Sequence, residues 1–263
     1  MRGDVTPHER TPAARRRLGT GDPVDADAAI AVDAAGRLST LRSTGPLQLR
    51  PGRAGEPLVR LVTGTGGPLV GDSWCLRIDV APGAQLTVRA VAASVALPAA
   101  HRAPDSFSRF EIHARVGRGG WLDVDLGPTV AADGARHRLA VMLEAEQGGG
   151  ARWREELVVG RHGERGGMLA AVQDVRVAGR PLLRQELRLG EPSSGSSATT
   201  AGARVVASEL LVGPRAAADG GSAVAVHPDA PAARLALAGP GWQATALADD
   251  VPTARRRLAA VLP

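Results

Sequence analysis

The side chains that could bind a metal ion or act as nucleophiles are scattered along this sequence of 263 residues. The histidines are His8, His101, His113, His137, His162 and His227. None of them pair at the i, i+4 spacing that places two ligands on one face of a helix. Cys75 is the single cysteine, so no intrachain disulfide can form. The sequence therefore predicts no preformed zinc site and no tightly bound cofactor.

A possible pair of catalytic carboxylates lies in the alternating segment around Asp123 and Asp125. Two acids on one strand face could act together on a glycosidic bond, although such acids are more often simply solvated. Only 2% of the residues are aromatic, and aromatic rings are what usually stack on sugars. A β-helix-type carbohydrate-active enzyme stays open as the alternative function, although the sequence favours a protein that is not an enzyme.

The glycine-rich segment 62–71 resembles a nucleotide-binding turn at first sight. Such a turn must lead into a helix whose N-terminus faces the phosphates. Here Pro68 interrupts the would-be helix, and a strand pattern begins at Trp74. A phosphate-binding P-loop also needs a lysine after the glycines, which is absent. We therefore interpret the segment as a connection between two strands.

The densest group of polar residues is the segment 153–164, a short strand that enters a glycine-rich loop. Glycines allow sharp turns, and loops on a rigid β scaffold commonly carry binding residues. The pattern is equally compatible with a salt-bridged surface loop of little energetic importance. Glu156, Gly160, Arg161 and Glu164 are the candidate recognition residues of this loop.

The charge of the chain restricts its partners. The net charge at pH 7 is only +5, yet the isoelectric point is near 11.0. The two values are compatible because every cation is an arginine, which stays charged far above neutral pH. Arginines cluster only at residues 15–17 and 255–257, without interleaved aromatics, so we expect no nucleic-acid binding. No apolar run approaches the roughly 20 residues of a membrane helix, and the N-terminus has no signal-peptide pattern. We expect a cytoplasmic protein that does not enter a membrane.

Short runs of alternating apolar and polar residues are the dominant element signal. Residues 74–80, 86–90, 110–116 and 122–126 alternate with a period of two and are separated by glycine and proline turns, which predicts an all-β fold. One helix is predicted at the C-terminus, with Asp250 as its cap and Pro252 in its first turn. We expect a flexible N-terminal tail over residues 1–28, a single β domain over 29–263, and a flexible loop over 191–202.

Five segments carry a family resemblance, which runs from about Gly45 to the C-terminus. They are residues 66–72 with the hairpin at 76–84, residues 156–164, residues 180–187, residues 209–214 and residues 255–258. In this order they resemble the urease accessory proteins of the UreD family, also called UreD/UreH. Residues 90–98 and 127–130 depart from the family pattern, which indicates a divergent branch.

The resemblance implies a fold and a function. It implies elongated, stacked β-sheets with a β-helix-like winding, a small helical portion and a C-terminal helix. It also implies a urease maturation scaffold that binds the urease apoprotein and the accessory proteins UreF and UreG and supports nickel insertion, with at most transient contact with nickel. The candidate partner-binding residues are Gly66, Gly67, Gly71, Asp72, Glu156, Gly160, Arg161 and Glu164.

Overall fold

A computed structural model describes residues 22–53, 55–64, 66–99, 106–190, 200–218 and 224–263. Of these described residues, 58% are strand and 6% are helix. The strands are β1 (Asp25–Val32), β2 (Leu38–Ser43), β3 (Leu47–Pro51), β4 (Leu58–Thr63), β5 (Ser73–Val80), β6 (Gln85–Ala90), β7 (Ser94–Ala96), β8 (Ser108–Val116), β9 (Trp121–Ala131), β10 (Arg136–Ala145), β11 (Gly150–Val159), β12 (Met168–Val177), β13 (Arg180–Leu189), β14 (Val205–Val212), β15 (Ala225–Val226), β16 (Ala232–Ala236) and β17 (Gly241–Ala248). The helices are α1 (Pro214–Ala218) and α2 (Val251–Ala259).

The strands form two sheets. Sheet A has the order β13-β12-β10-β8-β5-β1-β2, and sheet B has the order β15-β16-β17-β14-β11-β9-β6-β4-β3, with β7 beside β9. From β4 to β12 the chain alternates between the sheets, apart from the short β7, which follows β6 in sheet B, and neighbouring strands of this region within each sheet are parallel. This winding stacks about 4 solenoid turns. The predicted all-β fold with β-helix-like winding and a C-terminal helix is confirmed.

Side-chain alternation explains why these segments become strands. In β8, every second side chain from Ser108 to Val116 is buried and the others are exposed, which is the pattern of a strand with one face on a core. Strand β14 is buried along its whole length. It lies between the inter-sheet core and helix α2, so both of its faces are covered and its sequence is nearly continuously apolar.

The main core lies between the sheets. Trp74 and Trp153 are its largest side chains, and the rings of Trp74 and Phe110 meet edge to face with their centroids 6.1 Å apart. Valine, leucine and alanine fill the remaining space, as the low aromatic content requires. Burial of each valine or leucine side chain contributes roughly 1.5–3 kcal/mol, so the stability is spread over many small contacts.

A second apolar cluster lies on the outer face of sheet B, beneath helix α2. Trp242 is enclosed there by Ala254 and Leu258 of the helix and by Val261 beyond it. Asp250 begins the helix, and its Oδ1 accepts a hydrogen bond from the backbone N–H of Thr253 at 2.8 Å. The predicted cap of the C-terminal helix is therefore present.

The structure corrects the predicted end of the N-terminal tail. Strand β1 begins at Asp25, and Asp25 and Ala28 pair with Ser73 and Leu76 of β5. Residues 25–28 thus belong to sheet A, and the tail expected over residues 1–28 is too long. Its residues 1–21 lie outside the described residues, as do residues 191–199 of the expected flexible loop. No helix among the described residues is long and apolar enough to span a membrane.

Candidate functional site

The loop that connects β11 to β12 consists of residues 160–167, and we call it the 160–167 loop. Gly160, Gly163 and Gly166 have φ angles of 77°, 79° and 98°, values that side chains other than glycine rarely adopt. These glycines let the chain reverse between the two sheets. The segment interpreted from sequence as a loop from Glu156 onward is thus shorter, because residues 156–159 are still strand β11.

Hydrogen bonds from Arg204 fix the backbone of this loop. Its guanidinium donates to the carbonyl oxygens of Val159 at 2.9 Å, Arg161 at 3.1 Å and Glu164 at 2.7 Å. Arg204 precedes strand β14, so it ties the loop to sheet B. The 160–167 loop consequently has a defined backbone before any partner arrives, which lowers the entropy lost on binding.

Arg161 and Glu164 form an ion pair across the 160–167 loop. Arg161 Nε donates to Glu164 Oε1 at 2.8 Å, and the Arg161 backbone N–H donates to Oε2 at 2.9 Å. Asp133 adds a backbone N–H to the same oxygen at 3.2 Å. These bonds, the Arg161 side chain foremost, lower the pKa of Glu164 to about 2 and raise the pKa of Arg161. Two of the predicted recognition residues thus bind each other.

The side chains that the loop offers to a partner are His162 and Arg165. Both are exposed, and neither forms an ion pair among the residues that the structure describes. Sequence reasoning included both in the polar segment or beside it but did not choose them. Their position between the three glycines could have indicated them from the sequence, because side chains in such turns point outward.

Glu156 lies in strand β11 and is buried against helix α2. Its carboxylate accepts two hydrogen bonds from Arg255, from Nε at 2.5 Å and from Nη2 at 2.8 Å. A bidentate pair of this kind fixes both position and orientation. Glu156 therefore holds the C-terminal helix on sheet B, and its predicted part in partner binding stays a prediction.

A row of charged residues crosses the outer face of sheet B, and we call it the charged stripe: Arg89, Asp123, Arg152, Arg154 and Glu209. The buried carboxylate of Glu209 accepts from Arg152 Nε at 2.8 Å and from Arg154 Nε at 2.7 Å. Arg89 Nη2 donates to Asp123 at 2.7 Å. Its members come from four strands, β6, β9, β11 and β14, so no local sequence pattern showed that they meet.

Asp72 performs a structural task at the start of strand β5. Its Oδ1 accepts from the Val24 backbone N–H and its Oδ2 from that of Leu69, each at 2.9 Å. The side chain is buried, and the hydrogen bonds join three segments of the fold. The partner-binding part assigned to Asp72 from sequence has no test here and stays a prediction.

Gly66, Gly67 and Gly71 form the turns of the segment before Asp72. A Cβ on Gly67 would lie 1.7 Å from the carbonyl oxygen of Val95, so only glycine fits this approach. Gly67 and Gly71 have φ angles of 94° and 97°. The segment is a connection from β4 to β5, as interpreted from the sequence.

Comparison with known proteins decides the family. The sequence model described as the UreD urease accessory protein matches residues 25–262. A urease accessory protein UreD from Frankia alni is 39% identical, with 86% of each chain covered. That of a Parafrankia species is 41% identical over 89% of this chain and 86% of its own. UreD 1 of Saccharopolyspora erythraea is 38% identical over 89% of this chain and 91% of its own.

The chain belongs to the UreD family. Its members are urease accessory proteins, so this UreD protein has a role in urease maturation and is not an enzyme. The carbohydrate-active enzyme kept open from the sequence is thereby excluded. The structure agrees for the candidate carboxylates, since Asp123 pairs with Arg89 and Asp125 accepts from the Gly127 backbone N–H at 2.9 Å.

A histidine and a serine meet in the core of this UreD protein without forming a reactive site. Ser108 Oγ and His137 Nδ1 are 2.9 Å apart, and both side chains are fully enclosed. Burial lowers the pKa of His137 to about 4, so the ring is neutral at physiological pH. No group of three metal-binding side chains comes together among the described residues.

The two stretches expected from the sequence to depart from the family pattern are neighbours in space. Strand β7 pairs with the end of β9, with Ser94 opposite Thr129 and Val95 opposite Val130. The two stretches therefore contact each other in one place of the fold, and their departure from the family pattern stays a prediction.

Proposed function

We propose that this UreD protein is a maturation scaffold that binds the urease apoprotein and the accessory proteins UreF and UreG and supports nickel insertion into the urease active site. The observation that carries the proposal is the 160–167 loop. It is exposed, has a fixed backbone and projects from a rigid solenoid. The family role in urease maturation supports the same conclusion.

The loop would recognise a partner through its exposed polar side chains. Arg161 and Glu164 set the shape of the loop, while His162 and Arg165 provide the contacts. The guanidinium of Arg165 and the imidazole of His162 fit a partner surface that carries carboxylates, and charge complementarity of this type governs association rate and specificity. The remaining predicted residues, Gly66, Gly67, Gly71, Asp72, Glu156 and Gly160, would support the surface from within.

Nickel is the cargo in this proposal, and we expect its contact with the UreD protein to be transient. Transfer of an ion requires oxygen or imidazole ligands that exchange readily, rather than a closed thiolate site. Cys75, the single cysteine, is only half exposed, and burial raises the pKa of its thiol, which disfavours the metal-binding thiolate.

The proposal is tested by the nickel content of urease purified from cells that lack this chain. We expect urease protein at normal abundance but with little nickel, and full nickel content once the wild-type chain is restored. Normal nickel loading without the chain would contradict a scaffold role. Co-purification of the tagged chain with apo-urease, UreF and UreG, one at a time, then shows which of them binds directly.

A further inference from the structure

The two sheets are joined at one side of the molecule and open at the other. At the joined side, residues 44–46 carry the chain directly from β2 at the edge of sheet A to β3 at the edge of sheet B. At the other side, β13 ends sheet A, whereas sheet B continues through β17 and β16 to β15. The open side therefore presents two strand edges, those of β13 and β15, that no backbone pairing among the described residues joins.

Sheet B extends beyond the edge of sheet A at this side. Gln243 of β17 points inward, because its Nε2 donates to Gln173 of sheet A at 3.3 Å. Leu235 pairs with Gln243 on the neighbouring strand β16, so it lies on the same inner face one strand further out. Leu235 is nevertheless 55% exposed, which shows that sheet A does not reach over it.

The exposed inner face continues onto the last strand of sheet B. Val226 pairs with Ala233, which is two residues from Leu235 and shares its face. Val226 is 67% exposed and Val224, which precedes the strand, is 61% exposed. We call Leu235, Val226 and Val224 the apolar shelf. Exposed apolar side chains that lie together commonly mark an interaction surface.

Strand β13, the edge of sheet A beside this shelf, has backbone groups on its outer side that pair with none of the described residues. Nine of its ten residues pair with β12 on one side, and Leu182 falls at a shift in the register. On the other side, no backbone hydrogen bond connects β13 to any described residue. Leu182 of β13 lies close to Gly239, in the turn between β16 and β17, and to Gly241, the first residue of β17, which places this edge next to the shelf. A strand added to β13 would therefore lie over the apolar shelf, since stacked sheets are about 10 Å apart.

The charge on the solvent face of β13 specifies the partner. Arg184 and Arg188 are exposed there, and Arg184 forms no ion pair with the described residues. Arg109 and Arg138 follow on the same sheet face, and Glu186 is the one acid lining the cleft between them among the described residues. Two copies of this chain paired through β13 would bring these arginines together, which disfavours self-association.

We propose that the β13 edge binds an extended segment of a protein partner as an additional strand of sheet A. The segment alternates apolar residues, which cover the apolar shelf, with acidic residues, which face Arg184. Backbone hydrogen bonds provide affinity in this mode of recognition, and alternate side chains provide specificity. This surface is separate from the 160–167 loop, and the proposal does not depend on nickel insertion.

The test uses the full chain and a blocked, fluorescein-labelled peptide of about ten residues in which Val and Glu alternate. We expect a rise in fluorescence anisotropy on binding and slower hydrogen exchange at the amides of β13. The peptide with Lys in place of Glu, and the Val/Glu peptide N-methylated at every residue, should each bind at least about tenfold more weakly.

Substitutions at the proposed surface, and the same substitutions on β2 at the opposite edge of sheet A, supply matched controls. Arg184→Glu and Leu235→Asp should each weaken binding of the Val/Glu peptide by about tenfold. Arg42→Glu and Leu41→Asp make the same changes on β2, the opposite edge strand, and should leave it unchanged. All four side chains are exposed, so each variant is expected to fold. Any of three results would overturn the proposal. They are absence of binding up to millimolar peptide, equal binding by the two pairs of variants, and slower hydrogen exchange in β2 instead of β13.

Discussion

At the scale of single residues, Glu155 is a carboxyl group buried in the core between the sheets. Its Oε1 accepts from Gln173 Nε2 at 2.8 Å, and Gln173 in turn accepts from Gln185 at 2.8 Å. Burial raises the pKa of Glu155 to about 7. The period-2 pattern alone places Glu155 on the same face as Trp153 and Leu157. That signal was missed because the segment was read as the entry to a loop.

The raised pKa makes stability depend on pH in one direction. The unfolded chain loses the Glu155 proton near its ordinary value of 4.5, whereas the folded chain keeps it to about 7. Stability from this group is therefore fully present below about pH 4.5 and is lost as the pH rises through about 7. His137, whose pKa is lowered to about 4, titrates with the opposite sign in an overlapping window, so the comparison is made between variant and wild type. Glu155→Gln should gain stability over the wild type as the pH rises from 5 to 8, by on the order of 2–3 kcal/mol, in urea unfolding measured at several pH values.

Glu164 provides the internal contrast for that experiment, because its pKa is lowered to about 2. Its stabilisation is present above about pH 4.5 and is lost as the pH falls through about 2, which is a different window. Glu164→Gln should therefore alter acid unfolding and leave the slope between pH 5 and pH 8 unchanged. If Glu155→Gln leaves that slope as steep as in the wild type, Glu155 is not the group that titrates.

Glycine at position 67 is required by space as well as by backbone angle. A Cβ there would meet the Val95 carbonyl oxygen at 1.7 Å, whereas one on Gly36 would meet nothing within 4 Å at a similar φ of 77°. We expect Gly67→Ala to cost more than about 3 kcal/mol and Gly36→Ala roughly 1 kcal/mol, the cost of the left-handed conformation. Thermal or urea unfolding of the two variants measures the difference, and similar losses would refute the close approach.

At the scale of elements, helix α2 is held to sheet B by apolar contacts and by the Glu156–Arg255 pair. Arg255 is 58% exposed, which limits the strength of the pair. Glu156 is buried, however, and removal of the Arg255 side chain would leave its carboxylate without a compensating charge. Arg255→Ala should destabilise the protein by about 1 kcal/mol and speed hydrogen exchange in α2. A double-mutant cycle with Glu156→Gln isolates the coupling, and a coupling energy near zero would show that the helix is held by Leu258 and its neighbours alone.

The elements also show how far the sequence could predict this structure. Strands β5 and β8 were predicted because one of their faces is solvated, so their alternation is clean. The start of β1 was missed because residues 25–28 include two aspartates and two alanines, a weak apolar signal that only pairing with β5 makes into a strand. The Glu156–Arg255 pair spans 99 residues, and contacts of that separation follow from topology rather than from local pattern.

At the scale of the whole molecule, parallel strands stacked in about 4 turns give a rigid body with loops at both ends. The 160–167 loop lies where the chain passes from sheet B to sheet A, between β11 and β12. The turn that contains Arg118 lies at the opposite strand ends, where the chain passes from β8 of sheet A to β9 of sheet B. Maturation is proposed to depend on the first loop only. Two exposed arginines, Arg165 and Arg118, therefore offer a matched comparison of the two ends.

The most direct measurement is the nickel content per active site of urease from cells in which this chain is wild type, His162→Ala/Arg165→Glu, or Arg118→Glu. The double variant keeps the Arg161–Glu164 pair and the Arg204 contacts, so the loop should retain its shape. We predict a nickel content lowered several-fold in the loop variant, with unchanged abundance of urease and of the chain, and normal loading with Arg118→Glu. Full nickel loading in the loop variant, with the variant folded and expressed, would contradict the account.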